Sequence, residues 1–452
     1  MSDWASRRLH FVGIGGAGMS GLALVCRELG ATVSGSDRGD SSYMERLRAA
    51  GIEPAVGHDA ANLPEAAEVV VSTAIAEDNP ELALARERGL PALRRGELLA
   101  QLCAEKRLIA VAGTHGKTTT TAMLAWALRG VGADPAFFVG GEVPGLGPGG
   151  AVANAGWGAG EWDVAEADES DGSFLDLDPE IAIVTNVEMD HHSHWGSVAE
   201  LRAAFAKFAQ KSARVVVPAS GEMDVGPVGA AEGGTRARFD AASPGPVELS
   251  LAVPGRHNLF NARAALAAAE LGGFDSAAAA AALADFPGVH RRLELKGERG
   301  GARIYDDYAH HPTEVRAALS ALRELAPRRL LAVFQPHLYS RTKAFAEQFG
   351  AALALADEVA VLDVYAAREE PPGELAGVSG LDVARAAADR MGGRRVLWTP
   401  TIESATRALA GRLGGGDIAV TIGAGDVFEV AEALSAGDEG AAGDATTGGG
   451  RR

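Results

Sequence analysis

The stretch V-A-G-T-H-G-K-T-T-T, Val111–Thr120, decides how this chain is read. The common phosphate loop, G-x-x-x-x-G-K-[ST], places a glycine where Val111 stands; here the first glycine is Gly113, so the loop is two residues short. The parts that bind phosphate are all kept: backbone N–H groups at a helix N-terminus, a lysine beside them and a hydroxyl for a metal ion. Leu108–Ala112 reads as a buried strand, and T-T-T-T-A-M-L-A-W-A-L-R-G, Thr118–Gly130, as the helix that follows. Lys117 is then placed for the β/γ-phosphates of a nucleotide and Thr118 for Mg²⁺.

Outward from that loop, three blocks alternate strands with helices, which makes the fold class α/β. Residues 1–105 carry the strands L-H-F-V, A-T-V-S and E-V-V-V-S. Residues 106–288 carry the phosphate loop, W-D-V-A-E-A, I-A-I-V-T-N and the alanine-rich helix around N-A-R-A-A-L-A-A-A-E. After F-P-G-V-H-R-R, residues 289–436 repeat the pattern with R-I-Y-D-D-Y, L-L-A-V-F, E-V-A-V-L-D-V and D-I-A-V-T-I. Residues 437–452, rich in glycine and alanine, read as a disordered tail.

Composition narrows the function. The chain is 47% hydrophobic and 23% charged, enough to bury several ordinary cores. Its net charge of -18 repels nucleic acid and anionic membranes, so an anionic ligand must be held by local lysines, arginines and helix N-termini. No run approaches the roughly 18 apolar residues of a membrane span, and M-S-D-W-A-S-R-R lacks a signal-peptide profile, which predicts a cytoplasmic protein. Cys26 and Cys103 lie in apolar helical contexts and are expected in the core.

Several constellations carry chemistry. G-I-G-G-A-G, Gly13–Gly18, follows a strand and opens a helix, with Asp37 ending the next strand; this fingerprint suits any nucleotide diphosphate, NAD or a nucleotide sugar alike. A-E-A-D-E-S-D-G-S-F, Ala165–Phe174, sets four acids after a strand, where Glu166 is the first candidate for Mg²⁺. T-N-V-E-M-D-H-H-S-H-W holds His191, His192 and His194; without cysteine or spaced histidine partners it suits one histidine beside a Mg²⁺–phosphate centre better than zinc. H-R-R supplies Arg292 for phosphate charge, and F-Q-P-H-L-Y-S-R-T supplies Arg341 for a carboxylate.

Taken in order, G-T-H-G-K-T-T, E-A-D-E-S-D, D-H-H, P-G-R-H-N, H-R-R, D-D-Y-A-H-H-P-T-E and Q-P-H-L-Y-S-R-T resemble the Mur ligases over roughly residues 7–430. The short loop is that family's own form. The resemblance implies three domains: a Rossmann-like domain gripping UDP, a central P-loop ATPase, and a Rossmann-like C-terminal domain that closes over ATP and the amino acid. It implies an ATP- and Mg²⁺-dependent ligase whose substrates are UDP-N-acetylmuramate and L-alanine. By the same resemblance Gly113, Thr114, His115, Gly116, Lys117, Thr118 and Thr119 hold ATP, with Asn258 on adenine, Arg292 on the phosphates and Asp307 on the ribose. Thr118, Glu166 and His191 surround the metal; His310 and Arg341 lie near the amino acid. The fingerprint is reassigned to the UDP sugar, through Gly13, Gly15, Gly16, Ala17, Gly18, Met19, Ser20, Asp37, Ser72 and Thr73. Two positions depart from the family pattern: Ser193 stands where many members carry an acid, and Leu338 where many carry arginine. Lys207 is the nearest candidate for the carbamoylated lysine of some relatives, without support from its motif.

Overall fold

The computed structural model describes residues 3–72, 74–190, 194–219, 225–226, 228–240, 247–367, 369 and 373–436, so the tail at 437–452 lies outside the described residues. Two compact units are present: residues up to 252 with Leu259–Val289, and Val253–Asn258 with His290 onward. The segment P-G-R-H-N thus groups with the C-terminal residues.

The first unit holds two sheets. Strands β1 (Arg8–Val12), β2 (Thr32–Asp37), β3 (Ala55–Val56), β4 (Glu68–Val71) and β5 (Ala92–Arg94) run in the order β3-β2-β1-β4-β5, all parallel. Helices α1 (Ala17–Glu28), α2 (Ser42–Ala49) and α3 (Pro80–Glu87) lie between them, and α4 (Arg95–Cys103) follows β5. The order reverses at β1, and loops leaving β1 and β4 there open the crevice where such sheets bind ligands.

The second sheet is built from β6 (Arg107–Ala112), β7 (Ala136–Val143), β8 (Ala153–Gly156), β9 (Trp162–Glu166), β10 (Ile181–Val184), β11 (Arg214–Pro218) and β12 (Thr235–Phe239). Its order is β12-β11-β10-β6-β9-β7-β8, with β8 antiparallel to β7. Strand β6 is central and apolar throughout its buried length, as a parallel strand covered on both faces must be. Helices α5 (Lys117–Gly130), α6 (Val198–Gln210), α7 (Arg256–Leu271) and α8 (Ser276–Leu283) belong to this part of the chain. One continuous core joins the two sheets, running from Leu22 and Cys26 through Cys103 and Phe138 to Phe174 and Phe205. Gly21 on α1 lets β8 approach, since a Cβ there would stand 2.9 Å from that of Ala155.

The second unit carries β13 (Glu294–Arg299), β14 (Ala302–Asp307), β15 (Leu330–Phe334), β16 (Glu358–Val361), β17 (Arg395–Trp398) and β18 (Ile418–Ile422) in the order β13-β14-β18-β15-β16-β17. All neighbours are parallel except the edge pair β13–β14. Helices α9 (Pro312–Glu324), α10 (Tyr339–Leu353), α11 (Gly380–Arg390), α12 (Ile402–Ala410) and α13 (Phe428–Ser435) cover it. Helices α10 and α11 cross at Gly350, where a Cβ would come within 2.5 Å of the Ala386 backbone.

Candidate functional site

The loop between β6 and α5 is shaped by its two glycines. Gly113 (φ +137°) and Gly116 (φ +80°) take backbone angles that L side chains rarely adopt. Space is equally tight: a Cβ at Gly113 would lie 2.0 Å from Thr185 Oγ1, and one at Gly116 2.6 Å from Asn261 Oδ1. Asn186, just past β10, braces the loop by accepting from the His115 N–H at 2.9 Å and donating to its carbonyl at 2.7 Å. Thr114 Oγ1 bonds the Glu188 backbone in both directions, and Thr119 is buried in the first turn of α5.

Lys117 folds back onto its own loop. Its Nζ donates to the carbonyls of Gly113 (2.7 Å) and Thr114 (3.2 Å) and pairs with Glu169 at 2.7 Å. Burial opposes the ammonium charge, but Glu169, Asp168 and Glu166 outweigh it, and the net shift is upward. Glu169 is fully buried; loss of solvent, with Asp168 adding to it against the pull of Lys117, pushes its carboxyl up to about 7. Of the four acids of that loop, Glu166 is the one the sequence points to, but it is Glu169 that pairs with Lys117. Its signal was present in E-A-D-E-S-D, but which acid turns inward depends on the path of the loop.

Thr118 Oγ1 donates to Glu166 Oε1 at 2.9 Å, while the Gly140 N–H holds the other Glu166 oxygen at 2.7 Å. Two hard oxygen donors at a strand end and a helix N-terminus are a donor set that fits Mg²⁺. His191 lies outside the described residues, as do His192 and Ser193. Lys207 sits in the last turn of α6.

At the mouth of the first sheet, the N–H groups of Gly13 and Ile14 donate to the Ser36 carbonyl at 2.9 and 3.0 Å. The Gly15 N–H donates to Asp37 Oδ2 at 2.8 Å, so Asp37 fixes the loop that precedes α1. Gly16 caps α1, Ala17 and Gly18 begin it, and Ser72 accepts from the Ala74 N–H at 3.3 Å. The Met19 side chain is packed in the core, and the buried Ser20 hydroxyl donates to Ala17 O. A helical face that must cover the sheet claims both side chains. Thr73 lies outside the described residues.

In the second unit, Arg291 and Leu293 both have left-handed backbone angles (φ +60° and +48°), placing Arg291 and Arg292 in different settings. Arg291 is pinned to Asp306 at 2.9 Å and to the Gly423 carbonyl at 2.8 Å, whereas the Arg292 guanidinium lies 5.3 Å from the Tyr308 ring centre. Asp307 accepts from the N–H groups of Leu293 and Ala309, both at 2.8 Å, and burial pushes it up to about 6. Asn258 donates to the Pro254 carbonyl at 2.7 Å; beside it, burial and then Arg292 press His257 down to about 4.

Around Arg341 the unit gathers rings. Arg341 is 7% exposed, 3.2 Å from His337 Nδ1. His337 stacks on Tyr365 at 5.9 Å and meets the His310 ring at 6.0 Å. His310 Nδ1–H donates to Tyr308 O at 3.0 Å. Leu338, the residue before α10, takes φ +67°, and its N–H donates to Tyr365 O at 3.0 Å. Tyr365 gave no sequence signal, because it reaches this cluster through the turn after β16 and lies in no motif.

Three family models match the chain: "Mur ligase family, catalytic domain" over residues 8–107, "Mur ligase middle domain" over 111–225, and "Mur ligase, glutamate ligase domain" over 291–425. A UDP-N-acetylmuramate–L-alanine ligase of Renibacterium salmoninarum is 46% identical, with 94% of this chain and 95% of that protein covered. One of Kineococcus radiotolerans is 47% identical, at 94% of each. Among solved structures, the UDP-N-acetylmuramate-alanine ligase of Thermotoga maritima matches with a TM-score of 0.80 at 30% identity, covering 96% of this chain and 99% of that one. A murein peptide ligase of Psychrobacter arcticus matches with a TM-score of 0.69 at 27% identity, covering 95% and 99%.

Proposed function

Since the chain belongs to the Mur ligase family, we propose that it joins L-alanine to the carboxylate of UDP-N-acetylmuramate at the expense of ATP, a step of peptidoglycan precursor synthesis. The observation that carries the reading is the short phosphate loop with Lys117 and Thr118 set against Glu166 and Glu169. A carboxylate does not react with an amine unaided. Phosphorylation by ATP converts it to an acyl phosphate; the alanine nitrogen attacks the carbonyl, and phosphate leaves as the amide forms.

The chain's own work is positioning and charge compensation. Lys117 must exchange its loop carbonyls and Glu169 for phosphate oxygens when ATP enters, a swap of one set of charge-assisted bonds for another. Thr118 and Glu166, with His191 by family resemblance, would hold Mg²⁺; a bound divalent ion supplies neutralisation of phosphate charge. Arg292 serves the phosphates, Asn258 the adenine and Asp307 the ribose. Gly13–Gly18 with Asp37 holds the UDP moiety, and Arg341 with His310 the amino acid. The division into domains at 1–105, 106–288 and 289–436 belongs to the same reading, as does work in the cytoplasm, where ATP is made and free thiols such as Cys26 and Cys103 persist. Among the described residues no helix is long and apolar enough to cross a membrane.

Phosphate release tests the proposal, measured with UDP-N-acetylmuramate, ATP and Mg²⁺ and each of twenty amino acids or a muramoyl-type tripeptide. Alanine is expected to give the highest kcat/KM. Faster turnover with the tripeptide would instead make the chain a peptide ligase, the activity named for the Psychrobacter neighbour.

A further inference from the structure

Inside the first sheet sits a polar island that none of the roles above uses. Glu81, in the first turn of α3, is fully buried, as are His10 on β1 and Ser36 on β2. Glu81 Oε2 lies 2.8 Å from His10 Nε2, and His10 Nδ1 lies 2.9 Å from Ser34 Oγ. The Ser36 hydroxyl donates to Glu81 at 2.7 Å and stands 2.9 Å from His58 Nδ1. Two further donors, the Asp59 N–H and Asn62 Nδ2, reach Glu81 Oε1 at 3.2 Å each.

Such an island is costly. A buried carboxylate is tolerated when fully bonded, yet apolar residues of similar size are often as stabilising or more so. Stability alone therefore does not account for it. What it grips does: the Ser36 carbonyl receives the N–H groups of both Gly13 and Ile14, and the next residue, Asp37, receives that of Gly15. The end of β2 is thus the template on which the glycine loop is laid, and Glu81 fastens that template from beneath through the Ser36 side chain.

We infer that Glu81 is a positioning residue for the nucleotide-sugar substrate: by clamping Ser36 it sets the Gly13–Gly18 loop in binding geometry without touching substrate itself. The inference rests on the proposed role of that loop in holding UDP. His10, Asn62 and the Asp59 N–H complete the bonding that keeps Glu81 in place.

The test uses the full chain and three variants, Ser36→Ala, Glu81→Leu and Glu81→Gln, with calorimetric affinities for UDP-N-acetylmuramate and for ATP beside steady-state kinetics and melting temperature. Ser36→Ala and Glu81→Leu are expected to weaken UDP-N-acetylmuramate binding roughly tenfold, the order seen when a support one step from the ligand is lost. ATP affinity and kcat should stay within about twofold, because the ATP loop is held by Asn186 and not by this island. Glu81→Gln, which keeps the shape and part of the bonding, should restore most of the affinity. A merely structural role would lower the melting temperature and leave affinity untouched in the folded variant. Unchanged UDP-substrate affinity in Ser36→Ala, or an equal fall for ATP, overturns the positioning role, and Ser36→Ala decides the matter even where Glu81→Leu does not fold. A wild-type chain that binds ATP but not UDP-N-acetylmuramate overturns the functional reading instead.

Discussion

Lys117 shows how much one side chain's surroundings add to its motif. The sequence places it beside phosphate; the structure pairs it with an acid that is itself buried. Lys117→Met should therefore lower turnover by on the order of 10²-fold or more, and it should also leave Glu169 without its counter-charge. Because burial already raises Glu169 to about 7, the variant will keep this acid protonated and lose stability as pH rises above that range. Its melting temperature should approach that of the wild type at pH 6 and fall behind at pH 8. An equal deficit at both values would remove Glu169 from the account.

Leu338 gives a second test at this scale. Its backbone sits at φ +67°, a cost borne alike by leucine and arginine, so Leu338→Arg changes the side chain without changing the strain. A second charged donor near Arg341 should lower the KM for alanine about tenfold, and Arg341→Ala should nearly eliminate amino-acid binding. If both kinetic profiles match the wild type, the carboxylate is held elsewhere. Gly113, Gly116 and Asp37 were legible in the sequence because backbone geometry and spacing constrain them. Glu169, Asn186 and Tyr365 were not, since their partners are chosen by the course of loops between strands.

At the scale of elements, central strands were read from their apolar runs, as with R-L-I-A-V-A and I-A-I-V. Edge and short strands escaped: β12 is T-R-A-R-F with most of its side chains toward solvent, and β3 has two residues. A strand that buries little leaves little pattern. Helix contacts were likewise hidden, and Gly350 is the sharpest case. Gly350→Val should force α10 from α11 and destabilise the chain by about 1–3 kcal/mol. Since Arg341 rides on α10, the KM for alanine should rise while ATP affinity holds; a variant with normal melting temperature and normal kinetics would show that the crossing has slack.

Strand β9 carries a different liability. Asp163 is fully buried near its start, raised to about 6 mainly by burial, with Cys103 and Lys106 pulling the other way. Its folded-state affinity for a proton exceeds that of the unfolded chain, so its contribution is complete below about pH 4 and is lost as pH rises to about 6. The loss is on the order of 3 kcal/mol. Asp163→Asn should flatten the fall in melting temperature between pH 4 and 6. A slope identical to that of the wild type would assign it to other acids.

For the whole molecule, the alternation of strands and helices made three α/β blocks legible, and each block has its own sheet. The grouping of Val253–Asn258 with the second unit was not legible, because a short segment that follows β12 and runs into the first turn of α7 carries no periodicity to mark its partner. The two cysteines, both in the first unit, turn that division into something a reagent can read. Burial pushes the Cys26 thiol up to about 12 and raises Cys103 as well, so the folded chain presents almost no thiolate. Disulfide reagents act on thiolates, and they will label this protein only as fast as its first unit opens. Followed across a denaturant series, labelling becomes a clock for that unit alone, while circular dichroism averages both. If the clock and the spectrum share one midpoint, the units come apart together; if labelling leads or lags, the chain holds two separately timed transitions, each measurable without a mutation.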